Sequence, residues 1–182
     1  VSSQPAIERP TLRASLDGDL PAIQAIYAHH VLHGSGSFEL EPPDLDEMTA
    51  RRRAILERGL PYLVADWQGA VAGYAYAGPY RPRPAYRFTL EVSVYVAPDR
   101  QRLGLGRLLL GGLIERAEAL GYRQLIAVVG DSANLASIGL HESLGFQRAG
   151  VLRSVGWKHG RWLDSVFLQR SLGAGDDAPP ER

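Results

Sequence analysis

Residues 94–110 (VYVAPDRQRLGLGRLLL) hold the densest chemistry in the chain. A strand-like run ends at Val96, a polar loop follows, and Gly104 and Gly106 open a long helical pattern. A helix N-terminus exposes unpaired N–H groups and the positive end of the helix dipole. Glycines let a ligand approach that backbone closely. Arg100, Arg102 and Arg107 add charge at the same place. The combination suits a pyrophosphate. The dinucleotide fingerprint GxGxxG fails here, because Leu109 stands where the third glycine belongs. The nucleotide-triphosphate loop GxxxxGK[ST] is absent. A third pattern, Gln101-x-x-Gly104-x-Gly106, is present.

Two groups could move protons. Glu91 lies near the start of the strand-like run 90–96, and His141 lies on a short helical stretch. With an ordinary pKa of about 6.5, a histidine gives or takes a proton near neutrality. The bland alternatives are a strand-end ion pair of Glu91 with Arg81, Arg83 or Arg87, and a core or surface role for His141. Arg81 and Arg83 sit on a proline-stiffened stretch, 79–86 (PYRPRPAY). Their forks suit carboxylate or phosphinate groups, the alternative being a solvated turn. His29 and His33 share a helix face, yet no glutamate completes HExxH, so no metal is expected. Arg51, Arg52 and Arg53 read as a solvated helical face balanced by Glu47 and Glu57. Trp157, Trp162 and Phe167 read as core or dimer contacts rather than a nucleic-acid stacking surface.

These residues need a scaffold. The 182-residue chain is 45% hydrophobic and 22% charged, enough for one domain with its own core. Lys plus Arg and Asp plus Glu are 20 each, which disfavours a bulk polyanion partner. There is no cysteine, so disulfides, thiolate metal sites and thiol nucleophiles are excluded. No run reaches the roughly 18 apolar residues of a membrane helix, and no secretory signal is visible, so a soluble, cytoplasmic protein without membrane contact is expected. Flexible tails are expected at 1–10 and 173–182, around one domain at 11–172.

Strands are predicted at Thr11–Ala14, Tyr62–Trp67, 71–78, 90–96, 125–129, 146–155 and 163–168. Helices are predicted at about 17–32, capped by Asp17, then at 45–58, 104–120 and 134–144. The order is mixed α/β (α+β), with one strand–helix–strand unit in the centre and hairpins around it.

The loop pattern, together with Val94-Tyr95-Val96, Pro98, Asn134 and Leu144-Gly145-Phe146 in that order, resembles the GNAT superfamily of N-acetyltransferases. Residues 74–79 (YAYAGP), Arg81-x-Arg83-x-Ala85-Tyr86, Glu91, His141-Glu142 and Gly156-x-Lys158-His159-Gly160-x-Trp162-x-Asp164 narrow this. They resemble the phosphinothricin and methionine sulfone (sulfoximine) N-acetyltransferases, over Thr11 to about Leu172. The resemblance implies a single mixed, mostly antiparallel sheet with a central splay, flanked by helices on both faces. It implies acetyl-CoA as cosubstrate and direct acetyl transfer to an α-amino group, without a covalent acyl-enzyme. Cofactor contacts would fall on Val94, Tyr95, Val96, Arg102, Leu103, Gly104, Leu105, Gly106, Arg107 and Asn134. Glu91 would be the base, acting directly or through water, and His141 a second acid or base. Phe38, Arg81, Arg83 and Tyr86 would line the pocket of a small-molecule amino-acid acceptor, and the subfamily implies a homodimer through the C-terminal strands. Two other readings stay open at this point: an acetyltransferase for protein N-termini, polyamines or aminoglycosides, and a non-catalytic CoA-binding module.

Overall fold

β-branched and aromatic residues dominate Thr89–Val96, and this strand, β4, lies at the centre of the sheet. The computed structural model describes residues 9–180, so most of the expected 1–10 tail lies outside the described residues. In chain order the elements are β1 (Thr11–Ala14), α1 (Leu20–His33), α2 (Leu45–Leu56), β2 (Tyr62–Trp67), β3 (Ala70–Pro79), β4, α3 (Leu105–Ala119), β5 (Gln124–Gly130), α4 (Leu135–Ser143), β6 (Gln147–Lys158) and β7 (Arg161–Ser171). One seven-stranded sheet has the order β1-β2-β3-β4-β5-β7-β6. Only β4 and β5 run parallel; every other neighbouring pair is antiparallel.

Alternation along β4 sorts the side chains by face. Leu90 and Val92 join the core beneath α3, with Leu109, Leu110, Leu113 and Ile138. Tyr95 packs on the opposite face, with Ile23, Ile26, Tyr27 and Val31 of α1 and Met48 of α2. The helices therefore cover both faces of the sheet. Leu105, Leu109, Leu110 and Leu113 of α3 are fully buried, at about 1.5–3 kcal/mol each. That anchors the helix whose N-terminus matters below. Among the described residues, no helix is long and apolar enough to cross a membrane.

Two expectations need correction, and the choice between core and dimer contacts for the tryptophans narrows. Asp17 does not cap α1. A 3-10 turn at Asp17–Asp19 intervenes, and the Asp17 carboxylate pairs instead with Arg52 at 2.7 Å. Arg52 in turn is not on a solvated face. It is 7% exposed and donates to Ser15 O and Ser15 Oγ, at 2.7 and 2.8 Å, tying α2 to the end of β1. Arg51 does balance Glu47, and it also reaches Glu39. Trp157 and Trp162 are not core. They meet edge-to-face across the β6–β7 hairpin and stay more than half exposed. Past β7 the chain folds back, and Arg123 Nη2 holds the carbonyls of Ala178 and Pro179 at 2.8 and 3.1 Å.

Candidate active site

Pairing between β4 and β5 spans four residues, Thr89 to Val92 against Gln124 to Ala127. Both strands run on, to Val96 and Gly130, without pairing further. A cleft of about 830 Å3 opens between them. The register says which peptide groups face it. The Ala97 N–H donates to Ala72 O at 2.9 Å, toward β3. Groups of successive residues point opposite ways, so Tyr95 also bonds toward β3, while Val94 and Val96 turn their N–H and C=O groups to the gap. On the other wall the Asp131 N–H donates to Asp164 O at 2.8 Å on β7, so Val128 and Gly130 face the gap from β5.

The N-terminus of α3 opens into the same cleft. Its cap, Gly104, sits at φ 77°, a left-handed conformation that suits glycine, and no side chain caps it. The first-turn N–H groups are thereby left to a ligand. Arg102 also adopts a positive φ, 62°, which curls the loop ahead of the helix. Arg100, Gln101, Arg102 and Arg107 line the cleft mouth. Asn134 caps α4, its Oδ1 accepting from the Ser137 N–H at 3.2 Å, and it too lines the cleft.

His141 is 5% exposed and reaches the cleft wall. Its Nδ1 donates to Ser137 O at 2.8 Å, and its ring stands edge-on to Phe146 at 5.1 Å. Burial holds this imidazole below its ordinary pKa, with the Ser137 bond partly opposing. The ring is thus neutral at pH 7, its Nε2 a bare acceptor. Glu91 points to the α1/α2 face of the sheet, and among the described residues it makes no ion pair. Burial pushes its carboxyl pKa up, and the Arg81 guanidinium partly opposes this. A neutral imidazole lies on the wall of a cleft that fits a long phosphorylated ligand carrying amides, and a carboxyl whose proton affinity burial raises stands outside that wall on the same strand as Val94.

A model of the acetyltransferase (GNAT) family matches residues 24–146. The chain belongs to the GNAT acetyltransferase family. It is 61% identical over 171 residues to a phosphinothricin N-acetyltransferase of Alcaligenes faecalis, covering 94% of this chain and 87% of the relative. It is 45% identical over 162 residues to the L-methionine sulfoximine/L-methionine sulfone acetyltransferase of Pseudomonas paraeruginosa, covering 88% of this chain and 94% of that one. Among solved structures, a GNAT phosphinothricin acetyltransferase of Sinorhizobium meliloti in complex with AcCoA superposes with a TM-score of 0.92 at 46% identity, over 95% and 94% of the two chains.

The acetyltransferase cleft gathers Val94, Tyr95, Val96, Arg102, Gly104, Leu105, Gly106, Arg107, Asn134 and His141 along its walls. Several contribute backbone alone. The Leu105 side chain is buried in the core, and the Tyr95 ring packs beneath α1. Leu103 is exposed on the loop and does not line the cleft. Arg107 is partly engaged, its Nη1 donating to Ser143 Oγ at 3.2 Å and so linking α3 to α4.

Glu91, Phe38, Arg81, Arg83 and Tyr86 lie outside that lining. Tyr80 organises two of them: the Arg81 guanidinium lies over its ring at 5.0 Å, and Tyr86 meets it edge-on at 5.6 Å. Arg81 and Arg83 have no acidic partner among the described residues. Phe38 rests in a slot between Gly130 and Gly156. A Cβ on either would come within 2.8 or 2.4 Å of its ring.

Sequence reasoning missed other walls of the cleft: His30, residues 34–36, and Arg161, which is paired with Asp131. It named Lys158 within the resemblance but gave it no role; this buried ammonium donates to Ser37 O at 2.6 Å beside Phe38. Residues 33–37 (HGSGS) announced only a helix break, and a lysine on a strand carries no spacing signal.

Proposed function

We propose that this enzyme transfers the acetyl group of acetyl-CoA directly to the α-amino group of phosphinothricin-like amino acids: phosphinothricin, methionine sulfone and methionine sulfoximine. The observation that carries this is the placement of Glu91. It lies on the same strand as Val94, with a carboxyl in no ion pair among the described residues and within the field of the Arg81 guanidinium. An amino acid arriving on that side brings an ammonium for Glu91 and anionic oxygens for Arg81 and Arg83. Tyr86 and the Phe38 ring supply apolar walls.

The donor's diphosphate rests on the N–H groups of Leu105, Gly106 and Arg107, with Arg102 beside it. Its pantetheine arm lies along Val94 and Val96, with Asn134 opposite. Glu91 takes one proton from the ammonium, directly or through one water. The freed amine attacks the thioester carbonyl, whose developing charge faces the Val94 N–H. The Nε2 of His141 takes the nitrogen's second proton as the carbon–sulfur bond breaks, and passes it to the departing thiolate. The neutral state of this imidazole favours acceptance before donation. Acetylation removes the acceptor's ammonium charge, and a detoxification of such amino-acid analogues is the inferred role.

The chain is inferred to work as a homodimer. β6 is exposed along nearly its whole length, and Leu152, Val155, Trp157 and Trp162 form an apolar surface there.

The test is release of CoA, read with a thiol reagent. Purified enzyme and acetyl-CoA are mixed with each of the three amino acids, with a polyamine and with a peptide bearing a free N-terminus. Turnover with the amino acids and not with the last two is expected. No CoA release with any amino-acid analogue would reject the acceptor class.

A further inference from the structure

Lys158, at the end of β6, is a buried cation without an acid to balance it. It is 4% exposed, and among the described residues it makes no ion pair. Glu39 attracts it from farther away, and that carboxylate is already paired with Arg51. Taking an ammonium out of water without a counter-ion is costly, so stability alone favours an apolar side chain of the same size here. What the charge does touch is one peptide. Its Nζ donates to Ser37 O at 2.6 Å. That carbonyl and the Phe38 N–H lie in one rigid plane, and among the described residues this is the only hydrogen bond on it.

Gly156 and Lys158 share a face of β6, two residues apart. Gly156 leaves room for the Phe38 ring, so one strand sets both the seat of the ring and the peptide that carries it. The rest of the loop has anchors of its own. The His159 ring bonds Gly34 O at 3.2 Å, and the Ser37 hydroxyl meets Tyr27 OH at 2.9 Å. Loss of the ammonium would free the 37–38 peptide rather than the whole loop. Its carbonyl would then turn toward another donor, because a buried acceptor is costly to leave unpaired. Turning that plane changes φ of Phe38 and swings the ring in its slot. We propose that Lys158 is a positioning residue for the acceptor: by holding the Ser37 carbonyl it fixes the peptide from which the Phe38 ring enters the pocket wall. The inference rests on the reading of Phe38 as a wall of the acceptor pocket.

Lys158→Met keeps the length of the stem and removes the donor. Lys158→Gln, whose amide falls one bond short of the carbonyl, serves as a second variant should the first fold poorly. Both are compared with Phe38→Ala and with the double variant Phe38→Ala/Lys158→Met, by CoA release with each substrate varied in turn. A rise of about tenfold in the phosphinothricin KM is expected for the Lys158 variants, at an unchanged acetyl-CoA KM. In the Phe38→Ala background the lysine change should add less than about twofold, because the lysine acts through the ring. A folded Lys158 variant with the wild-type phosphinothricin KM overturns the proposal. So does a full tenfold rise on top of Phe38→Ala, or a fall in kcat alone, which would mark a purely structural role. A wild-type phosphinothricin KM in Phe38→Ala itself would sink the reading of the pocket instead.

Discussion

Gly156→Ala puts the acceptor pocket to a quantitative test. A Cβ at Gly156 would stand 2.4 Å from Phe38 Cε2 and 2.7 Å from Cδ2, where ordinary contact begins at 3.4 Å. The ring must therefore retreat by about 1 Å, and Gly130 closes the other side of its slot. Phe38 is 38% exposed, so it can swing toward solvent. The stability loss then belongs at the lower end of the overpacking range, about 1 kcal/mol, or roughly 2–4 °C in Tm for a chain of this size. The functional effect is larger, since a misplacement of about 1 Å at a bound substrate costs up to about 100-fold. The assay varies phosphinothricin at saturating acetyl-CoA, then reverses the roles, with a calorimetric scan alongside. A rise of about tenfold or more in acceptor KM is expected, with the acetyl-CoA KM unchanged. A wild-type acceptor KM would remove Phe38 from the acceptor pocket, and a rise confined to the acetyl-CoA KM would move it to the donor's side.

Glu91→Gln should lower kcat/KM by about 10²–10⁴, measured by CoA release, because a general base is lost. Its stability effect runs the other way. Burial raises the folded pKa of this carboxyl, so stability is lost as pH rises from the unfolded value of about 4.3 through the raised folded one. At pH 7 the glutamine variant should melt no lower than the wild type, and a clear drop in Tm would contradict that sign. His141 behaves oppositely: its folded pKa is depressed, so its contribution is lost as pH falls from about 6.5 through the lowered value. Both groups must be deprotonated for turnover, so the acid limb of log kcat/KM against pH should approach a slope of two, and a slope of one in His141→Gln or Glu91→Gln. A limb unchanged in His141→Gln would remove the histidine from the proton path.

Elements with a strong period were legible in the chain. The leucines of α3 and the β-branched run of β4 each carry one dominant pattern, and both fall within a residue or two of prediction. The mouth of the cleft was legible for the same reason, since a strand, a glycine loop and a helix are consecutive. What the sequence hid lies between segments distant in the chain. Arg52 looks solvated beside Arg51 and Arg53, yet it points inward because Ser15, 37 residues away, offers two oxygens there. His30 carries no pattern of its own beside His29 and His33, and its partner is a carbonyl 66 residues on. The slot for Phe38 needs Gly130 and Gly156 from two different strands. Side-chain period reports which face a residue takes, and says nothing of which distant backbone waits there.

The parting of β4 from β5 has an evolutionary corollary. A wall built of peptide groups cannot be erased by changing one codon: every residue except proline would bring the same N–H and C=O to positions 94 and 96. On the proposed reading, grip on the common donor is thus buffered against drift, while the arginines and aromatic rings assigned to the acceptor can be exchanged one at a time. A fold arranged this way can change what it acetylates without relearning how to hold what it acetylates with.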